Sequence, residues 1–571
     1  MLRELNANGQ PLTAVRLVKL VRVLRTWFAI VRAASGDQMQ IESVELTNFR
    51  SFKKLSLALD GKSIYLVSEN GGGKTSVLTA IARALGKERI ATPQDFGDIN
   101  LPLEVVVKLR GFLPADQGVF PKELSFVGTP SLRIGFRAVW NKSEQEAEMT
   151  CGFPDHGWRQ ASKQQREALR VVWLPAHRDS GRLLDLGAAR ALWAPLFAGL
   201  NLGNALKTAG EEIAAALQKF VAEPNLDQLL KKLGAELAKV IPDVDAKAFS
   251  LGHPGTSSDK DLLREFELLM SHGGTSVPVQ RQSAGLIQLA IFIFALKTLE
   301  NDPRAILLLD EPEISLHPQA QRALATTCRA LCNQSIIATH SSNILDRADL
   351  RRVVRLSGPK FNVTASQATT LSDPEAIRLS RFVNPMTAEA CFARKVVLVE
   401  GYSDRVVLLH LALRCGRNLD GEGVSIVAMD GGSGLGTYLR LYGAAGLKLA
   451  VLGLCDEDKE AKWLTELQGA GFAVADRASM KNVGFVVCQR DLEEEFVLAL
   501  GVPATEAVIT KEGKDSMLST FRKQATYSAL PPDQQLRHFL HKDNTQWAVP
   551  LVDALDLKNI PVALNAILAK L

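Results

Sequence analysis

The order of apolar and polar positions divides the chain into segments that favour strands and segments that favour helices. Short, nearly continuous apolar runs, such as 305–310 (AILLLD) and 395–399 (KVVLV), are typical of strands buried on both faces. They alternate with stretches of helical periodicity, among them 283–300 and 403–414. This alternation predicts parallel sheets covered by helices, so the expected fold class is α/β.

Further elements are predicted on both sides of a proline-containing segment near residue 385. Before it, we expect strands at 41–49, 62–68, 103–110, 132–140, 170–175 and 335–339, and helices at 75–85 and 318–332. After it, we expect strands at 424–429, 448–454 and 483–488, and helices at 434–445 and 459–470. The polar stretch 250–280 predicts a loop, and the chain is expected to hold two α/β units.

The first 38 residues differ from the rest of the chain. Basic residues recur at every third position of an otherwise apolar stretch, at Arg16, Lys19, Arg22 and Arg25. Three interpretations stay open: a spurious extension before a true start at Met39, a helix for a partner or for oligomer formation, and a membrane-surface helix. A second distinct segment, 186–240, is rich in Ala and Leu at helical spacing and predicts a compact arm.

Composition bounds the function only loosely. The 571 residues allow two to four domains, and 46% hydrophobic with 23% charged residues is ordinary for a globular protein. A net charge of +5 is compatible with nucleic acid as a partner but does not single it out. The seven cysteines form no CxxC pair, which argues against a zinc ribbon or redox motif and fits a reducing cytoplasm. No uncharged apolar run is long enough for a transmembrane helix.

A glycine-rich loop, SENGGGKT, lies between the predicted strand 62–68 and the predicted helix 75–85. In such a loop the backbone N–H groups face phosphates, Lys74 reaches the β- and γ-phosphates, and Thr75 holds Mg²⁺. Ser68 stands where the pattern usually has its first glycine. The predicted nucleotide-binding residues of this loop are Asn70, Gly71, Gly73, Lys74, Thr75 and Ser76.

Three later pieces fit the same nucleotide. Asp310 and Glu311 end an apolar strand, where an aspartate helps to hold Mg²⁺ and a glutamate polarises the attacking water. His340 ends another strand and is suited to sensing the γ-phosphate, while Ser283 and Gly285 open a helix whose N–H groups suit a phosphate. Taken singly, solvated acids and an ordinary serine cap explain these residues equally well.

The order of these pieces carries more information than any one of them. A loop lysine, a serine–glycine helix start, an Asp-Glu pair and a strand-end histidine resemble the ABC ATPases, and Glu45–Phe52 (ELTNFRSF) is similar to the opening strand of the SMC/RecF branch. The resemblance implies an ATPase head that pairs with a second head, with Ser283 acting on the ATP of the other subunit. It also suggests Gln94 as the Q-loop residue.

Carboxylates follow the predicted strands of the second unit. Glu400 ends one strand with Asp404 a helical turn later, and Asp456 and Asp458 follow the next apolar strand. Clustered hard oxygen ligands predict a Mg²⁺ or Mn²⁺ site, with two ions suited to phosphodiester cleavage, although a single strand-end acid is more often merely solvated. The predicted metal ligands are Thr75, Asp310, Glu400, Asp404, Asp456, Asp458, Asp491 and Glu493.

A Glu-Gly strand end, followed about 55 residues later by Asp-x-Asp, resembles the Toprim fold of topoisomerases, primases and nucleases. No separate tyrosine-bearing domain for a topoisomerase and no zinc ribbon for a primase is present. An ABC head followed directly by a C-terminal Toprim domain resembles the overcoming lysogenization defect (OLD) family, from about residue 40 to the end. Residues Pro175, Arg178 and Asp179 in LPAHRDSGRLLD are similar to a Pro-x-x-Arg-Asp stretch of that family.

This resemblance implies domains and a site. The expected domains are an extension (1–38), the first part of the ATPase (39–185), a helical dimerisation or arm insertion (186–275), the second part of the ATPase (276–385) and a Toprim domain with a C-terminal helical region (386–571). The implied catalytic residues are Glu311, His340, Glu400, Asp456 and Asp458. A late lysine assists in the family, but Lys542 is not in clear register with it.

The implied function is an ATP-binding and ATP-hydrolysing, Mg²⁺- or Mn²⁺-dependent DNA endonuclease of bacterial anti-phage defence. The implied partners are double-stranded DNA, further copies in a homodimer or homotetramer, and a UvrD-like helicase (Gabija-type) or a retron reverse transcriptase with its msDNA. Two alternatives stay open: a RecF-like DNA-binding ATPase scaffold with an inactive Toprim domain, and a Toprim effector that cuts RNA, because metal-assisted phosphodiester hydrolysis does not by itself select the sugar.

Overall fold

A computed structural model describes residues 39–59, 61–178, 269–272, 275–301, 305–346, 348–382, 385–429 and 434–571, with isolated positions from 183 to 228. The predicted extension 1–38, Asp179 and most of the predicted insertion 186–275 lie outside these residues. The chain divides into two compact units. The described residues of the smaller unit come from His177–Ala305 and Ile314–Leu316, and the remaining described residues form the larger one.

Strands and helices are numbered in chain order over the described residues. The strands are β1 Gln40–Phe49, β2 Phe52–Ala58, β3 Ser63–Val67, β4 Leu103–Arg110, β5 Ser131–Asn141, β6 Glu146–Phe153, β7 Arg159–Gln160, β8 Val171–Leu174, β9 Leu269–His272, β10 Thr275–Pro278, β11 Ile306–Asp310, β12 Gln334–Ala338, β13 Val353–Ser357, β14 Thr364–Gln367, β15 Lys395–Val399, β16 Val424–Ala428, β17 Ala450–Cys455 and β18 Phe485–Val487.

The helices are α1 Lys74–Ala84, α2 Pro114–Gln117, α3 Lys163–Ala168, α4 Ala284–Asn301, α5 Pro318–Leu331, α6 Ser342–Leu345, α7 Asp373–Phe382, α8 Pro385–Glu389, α9 Tyr402–Arg414, α10 Leu435–Tyr442, α11 Glu460–Gly469, α12 Arg477–Asn482, α13 Leu492–Leu500, α14 Val502–Lys511, α15 Asp515–Arg522, α16 Pro532–His541, α17 Asn544–Ala554 and α18 Val562–Leu568. Among the described residues, no helix is both long and apolar enough to span a membrane.

A six-stranded antiparallel sheet in the order β2-β1-β4-β5-β6-β7 forms one layer of the N-terminal part. β4 alternates strictly between buried and half-buried positions, because only one face of this sheet packs on the core. Strands β2, β6 and β7 were not predicted. The loop expected over 250–280 was wrong at β9 and β10, which pair antiparallel as a hairpin in the smaller unit.

A second six-stranded sheet, in the order β14-β13-β3-β12-β11-β8, positions the nucleotide-binding candidates. Strands β3, β11 and β12 are buried along their whole length and pair in parallel, so their carboxyl ends lie at one edge. The loop from Ser68 to Gly73 leaves β3 at this edge and leads into α1. Asp310 is the last residue of β11, and His340 lies two residues after β12.

The C-terminal domain contains a four-stranded parallel sheet in the order β16-β15-β17-β18. Its strands end next to Glu400, Asp456 and Cys488, and a core that includes apolar residues of helices α13 to α18 packs beside them. The prediction of an α/β fold is confirmed. The N-terminal part also contains the six-stranded antiparallel sheet, which packs on the core with one face.

Candidate functional site

The loop after β3 adopts a conformation that depends on its glycines. Gly73 has φ 95°, and a Cβ at this position would lie 2.5 Å from Cζ of Phe52. A Cβ on Gly72 would lie 2.5 Å from the Ser68 side chain. Only residues without a side chain fit both positions without strain, and α1 begins immediately afterwards at Lys74.

Lys74 is buried and connects the loop to the end of β12. Its Nζ donates a hydrogen bond to Oγ of Ser68 at 3.0 Å and lies 2.7 Å from Nε2 of His340. Burial lowers the pKa of Lys74 to about 8, against the opposing effect of Glu311 and Asp310. Burial, and then the Lys74 charge, lower the pKa of His340, which favours a neutral imidazole whose Nε2 accepts a hydrogen bond from the Lys74 ammonium.

The predicted Mg²⁺-binding and catalytic residues of the head lie together. Oγ1 of Thr75 donates to Oδ1 of Asp310 at 3.2 Å, so the helix start and the end of β11 present oxygens to one point. Glu311 has φ 42° and places Oε1 3.8 Å from Nε2 of His340. These contacts bring Lys74, Thr75, Asp310, Glu311 and His340 into one group.

Glu313 was not singled out from the sequence but belongs to this group. Its carboxylate accepts hydrogen bonds from the backbone N–H of His340 and from Oγ1 of Thr339, the latter at 2.8 Å. Burial raises the pKa of Glu313 in spite of these bonds. The acid therefore fixes the backbone that carries His340. The only signal in the sequence was its place in the DEPE run.

The remaining nucleotide candidates have varied surroundings. Asn70, Gly71 and Gln94 are exposed, and Ser76 accepts a hydrogen bond from Nη1 of Arg50 at 3.2 Å. Ser283 immediately precedes α4 and Gly285 lies in its first turn, and both belong to the smaller unit. A Cβ on Gly285 would lie 2.8 Å from the Ser315 carbonyl oxygen, so a close backbone approach explains this glycine.

Three of the predicted metal ligands meet at the ends of β15 and β17. Carboxylate oxygens of Glu400, Asp456 and Asp458 lie within 4.8 Å of one another. The backbone N–H of Asp456 donates to Oε1 of Glu400 at 2.8 Å, which connects the two strand ends. Asp458 is exposed and pairs with Lys459. This arrangement fits a hard divalent cation, because its donors are carboxylate oxygens.

Asp404 is not one of the three acids of this cluster. Its Oδ2 accepts the N–H of Gly401 at 2.8 Å at the start of α9. Burial, reinforced by the charges of Glu400 and Glu493, raises the pKa of Asp404 to about 7. Burial and the charges of neighbouring acids raise the pKa of Asp456 to about 8. Burial and the gathering of acids at this sheet edge therefore both disfavour the charged forms of these carboxylates.

A second cluster contains Asp491, Glu493 and His541, whose ligand atoms also lie within 4.8 Å of one another. The charges of Asp491 and Glu493 raise the pKa of Asp456, so both clusters belong to one acidic centre. His541, at the end of α16, was not predicted, because no motif connects it with acids that lie nearly 50 residues earlier. Its Nδ1 lies 3.4 Å from Oε2 of Glu493.

Asp491 already has a partner for each oxygen. Oδ1 accepts the N–H of Glu494 at 2.8 Å and caps α13, and Oδ2 accepts Nε of Arg537 at 2.6 Å. These bonds favour a role in positioning α13 and α16 over direct metal binding. The neighbouring Glu493 is the better candidate ligand.

The other residues singled out from the sequence have structural surroundings. Lys542 places Nζ 4.6 Å from the ring centroid of Phe521, a cation–π contact. Nη1 of Arg178 donates to Oε1 of Gln288 at 3.0 Å within the smaller unit.

Comparisons with known proteins match the regions of the two candidate sites to different domain families. Residues 391–458 match the family model described as "Overcoming lysogenization defect protein-like, TOPRIM domain". Residues 43–111 match one described as "AAA domain", and residues 201–345 match one described as "AAA ATPase domain". Together these matches cover the phosphate loop, the Asp310 and His340 region, and four of the C-terminal acids.

Three relatives extend the similarity over most of the chain. Protein YbjD of Escherichia coli is 25% identical over 515 residues, which cover 83% of this chain and 87% of that protein. The OLD nuclease of Thermus scotoductus is 25% identical, covering 73% of this chain and 82% of the relative. The Old nuclease of Escherichia phage P2 is 22% identical, covering 73% and 77%.

Proposed function

The chain belongs to the overcoming lysogenization defect family, with an ATPase head and a Toprim domain, and from this premise we propose that it is an ATP-hydrolysing, divalent-metal-dependent DNA endonuclease. A nuclease and ATPase activity follows at the level of the family. The proposed metal dependence and residue assignments rest on the geometry of the two sites, and the proposed DNA substrate rests on the similarity to the OLD nucleases.

The acidic centre of the C-terminal domain is the observation that carries the proposal. Glu400, Asp456 and Asp458 converge within 4.8 Å, and burial with mutual repulsion raises the pKa of Asp456 to about 8. Such a group is unfavourable unless a cation balances it. Glu400, Asp456 and Asp458 would hold a divalent ion, which would supply a nucleophilic water at neutral pH and charge stabilisation for the phosphate.

The protein side of this chemistry is positioning. The N–H of Asp456 holds Oε1 of Glu400, so the two strand-end acids keep a fixed separation. Asp404 holds the N–H of Gly401 and thereby the turn that follows Glu400. On the other side, the Arg537–Asp491 pair fixes α13, which carries Glu493 towards the same centre.

The head has the parts needed to bind and hydrolyse ATP. Lys74 and the loop N–H groups would hold the phosphates, Thr75 and Asp310 would hold Mg²⁺, and Glu311 would orient the attacking water. Glu313 accepts the N–H of His340 and would thereby hold this side chain near the γ-phosphate. We further propose that two heads pair around ATP and that the activity serves anti-phage defence, alone or beside a helicase or retron partner.

The test uses purified full-length protein and supercoiled plasmid with Mg²⁺ or Mn²⁺, with and without ATP. Wild type should nick or linearise the plasmid, and Glu400→Gln should lose this activity by at least about 100-fold, because the amide cannot balance the ion. Glu422→Gln is the matched control, an exposed acid of the same domain paired with Arg417. Lys74→Ala should lose ATP hydrolysis.

Other outcomes select the alternatives. ATP- and DNA-dependent association without cleavage under any condition would favour a DNA-binding ATPase scaffold. Cleavage of structured RNA in preference to plasmid, in a side-by-side assay with the same Glu400→Gln control, would favour an RNA-cutting effector. Cleavage that persists in Asp456→Ala plus Asp458→Ala protein would refute the metal assignment.

A further inference from the structure

Three consecutive residues connect the nucleotide site to β15, the strand that ends directly before Glu400. They are Phe392, Ala393 and Arg394, which precede β15 without a break and are called here the relay segment. Each contacts a different part of the head. The relay segment and its partners all belong to the larger compact unit.

Phe392 contacts the γ-phosphate sensor candidate. Its ring stacks on the imidazole of His340, with centroids 6.4 Å apart and an interplanar angle of 24°. The same imidazole lies 2.7 Å from Nζ of Lys74. Phosphates that draw the Lys74 ammonium towards themselves therefore remove a partner of the ring on which Phe392 rests.

Ala393 is held by the strand beside the phosphate loop. Its carbonyl oxygen accepts Nη2 of the buried Arg355 at 3.2 Å. Arg355 lies on β13 directly opposite Val67, the last residue of β3 before the loop begins. This contact anchors the middle of the relay segment to the rigid sheet.

Arg394 contacts the phosphate loop itself. Its Nε and Nη2 donate to Oε2 of Glu69 at 3.0 and 2.8 Å, and Glu69 is the second residue of SENGGGKT. Both side chains are largely exposed, at 66% for Arg394 and 43% for Glu69. An exposed pair adds little to stability. Its strength depends on the surrounding charge, and a bound nucleotide adds several negative charges to the loop that carries Glu69.

We propose that the relay segment transmits the occupancy of the nucleotide site to the acidic centre of the Toprim domain. This inference rests on the proposed function and names its regulation. Phosphates in the loop withdraw Lys74 from His340 and change the charge around Glu69, so the contacts at both ends of the relay segment change together. The movement reaches Glu400 through β15, whose five residues lead directly from Arg394 to it. Ala393 acts as the fixed point between them.

Coupling of this kind has a measurable size. Coupling free energies between two sites are usually about 1–3 kcal/mol, which corresponds to a change of about 5- to 150-fold in the controlled step. We therefore expect a non-hydrolysable ATP analogue to change the wild-type nicking rate at least about fivefold. In Arg394→Ala and in Phe392→Ala the ratio of rates with and without analogue should move to within about twofold of one. The rate without analogue and the affinity for the analogue should stay near wild type.

Controls separate this relay from general damage. Arg417→Ala removes a half-buried arginine of the same domain, which pairs with Glu422 and the carbonyl oxygen of Leu568 instead of the head, and should keep the wild-type ratio. Glu69→Gln combined with Arg394→Ala should have no larger effect on the ratio than either change alone, because both remove one interaction. Arg394→Lys, which keeps the charge, should retain part of the response.

A second measurement does not depend on cleavage. Hydrogen exchange of the backbone from 392 to 399 should differ between wild-type protein with and without the analogue, and this difference should disappear in Arg394→Ala. A wild-type nicking rate that ignores the analogue, or an Arg394→Ala ratio equal to wild type, would overturn the relay. A wild type that does not cut at all refutes the proposed nuclease, while the exchange result still decides the relay.

Discussion

Replacement of Asp456 by Asn should stabilise the protein without metal and remove its response to metal. Burial, and then repulsion by Glu400 and other acids, raises the pKa of Asp456 from 3.8 to about 8. Because the folded-state pKa lies above the unfolded value, the stability linked to this group is fully present below about pH 4. It is lost as the pH rises towards 8, so wild-type protein in EDTA should be less stable at pH 8 than at pH 5.

The magnitude follows from the size of the shift. About four pKa units at 1.36 kcal/mol each give an upper limit of roughly 5 kcal/mol at pH 8. Asn keeps a polar group in the same half-buried place and retains the backbone N–H bond to Glu400, so it relieves only part of this cost. We expect a gain of about 2 kcal/mol, or roughly 4–8 °C in the unfolding transition of a domain of this size.

The assay is thermal unfolding of full-length protein at pH 5 and pH 8, in EDTA and in saturating Mn²⁺. In EDTA at pH 8 the Asn variant should unfold at the higher temperature. In Mn²⁺ the order should reverse, because 100-fold excess of ligand over its Kd stabilises wild type by about 2.7 kcal/mol and the variant by less. The control is Asp533→Asn, which alters an exposed acid in the first turn of α16 and should leave the unfolding temperature unchanged both in EDTA and in Mn²⁺.

Two outcomes would refute this reasoning. If the Asn variant were less stable than wild type in EDTA at pH 8, mutual repulsion would not be the dominant feature of the acidic centre. If Mn²⁺ stabilised both proteins equally, Asp456 would not belong to the metal site, and the proposed catalytic assignment of the strand-end acids would fail with it.

Four further predictions concern single residues. Glu313→Gln should lower ATP turnover about tenfold or more through displacement of His340, while ATP affinity stays within about twofold, which steady-state hydrolysis and equilibrium binding measure separately. Asp491→Asn should keep the cap of α13 and the stabilisation by Mn²⁺, whereas the free energy of unfolding of Asp491→Ala, measured in urea, should be lower by about a further 1 kcal/mol. Loss of the Mn²⁺ response in the Asn variant would instead make Asp491 a metal ligand. Gly73→Ala should weaken ATP binding and lower stability by at least about 1 kcal/mol, because φ is 95° and the added methyl meets Phe52, and unchanged binding would contradict the described loop geometry. ATP affinity should fall as the pH rises through about 8, since the charged form of Lys74 binds phosphate, and this pH dependence should be absent from Lys74→Ala protein in a fluorescence titration.

Much of the architecture could be predicted from sequence because local patterns determine it. Apart from Lys395 at the start of β15 and Asp310 at the end of β11, these two strands contain only apolar residues, which is typical of strands buried on both faces. The helix after the phosphate loop begins where the glycines end, since glycine permits the turn and Lys74 starts regular helix. The positions of the strand-end acids could be predicted for the same reason, because each acid comes at the end of an apolar run.

The antiparallel layer was harder to predict. Strands β2 and β6 alternate apolar with polar residues over short stretches, and β6 is partly exposed, so no continuous apolar run marks them. Likewise the hairpin of β9 and β10 contains Ser, His and Thr in a polar stretch. Such strands are specified by their neighbours more than by their own composition.

What the sequence determines by itself is which residues carry the chemistry and in what order: Lys74, the Asp310–Glu311 pair, Glu400 and Asp456 stand at the ends of their own elements. Only the tertiary structure decides which side chains contact one another across the chain. Four such contacts join distant segments or different helices: Glu313 accepts the N–H of His340, Asp491 accepts from Arg537, Nδ1 of His541 lies near Glu493, and Arg394 donates to Glu69. No local sequence pattern predicts such contacts, because they depend on how sheets and helices pack. The same packing sets the burial that raises the pKa of Asp404 and Asp456.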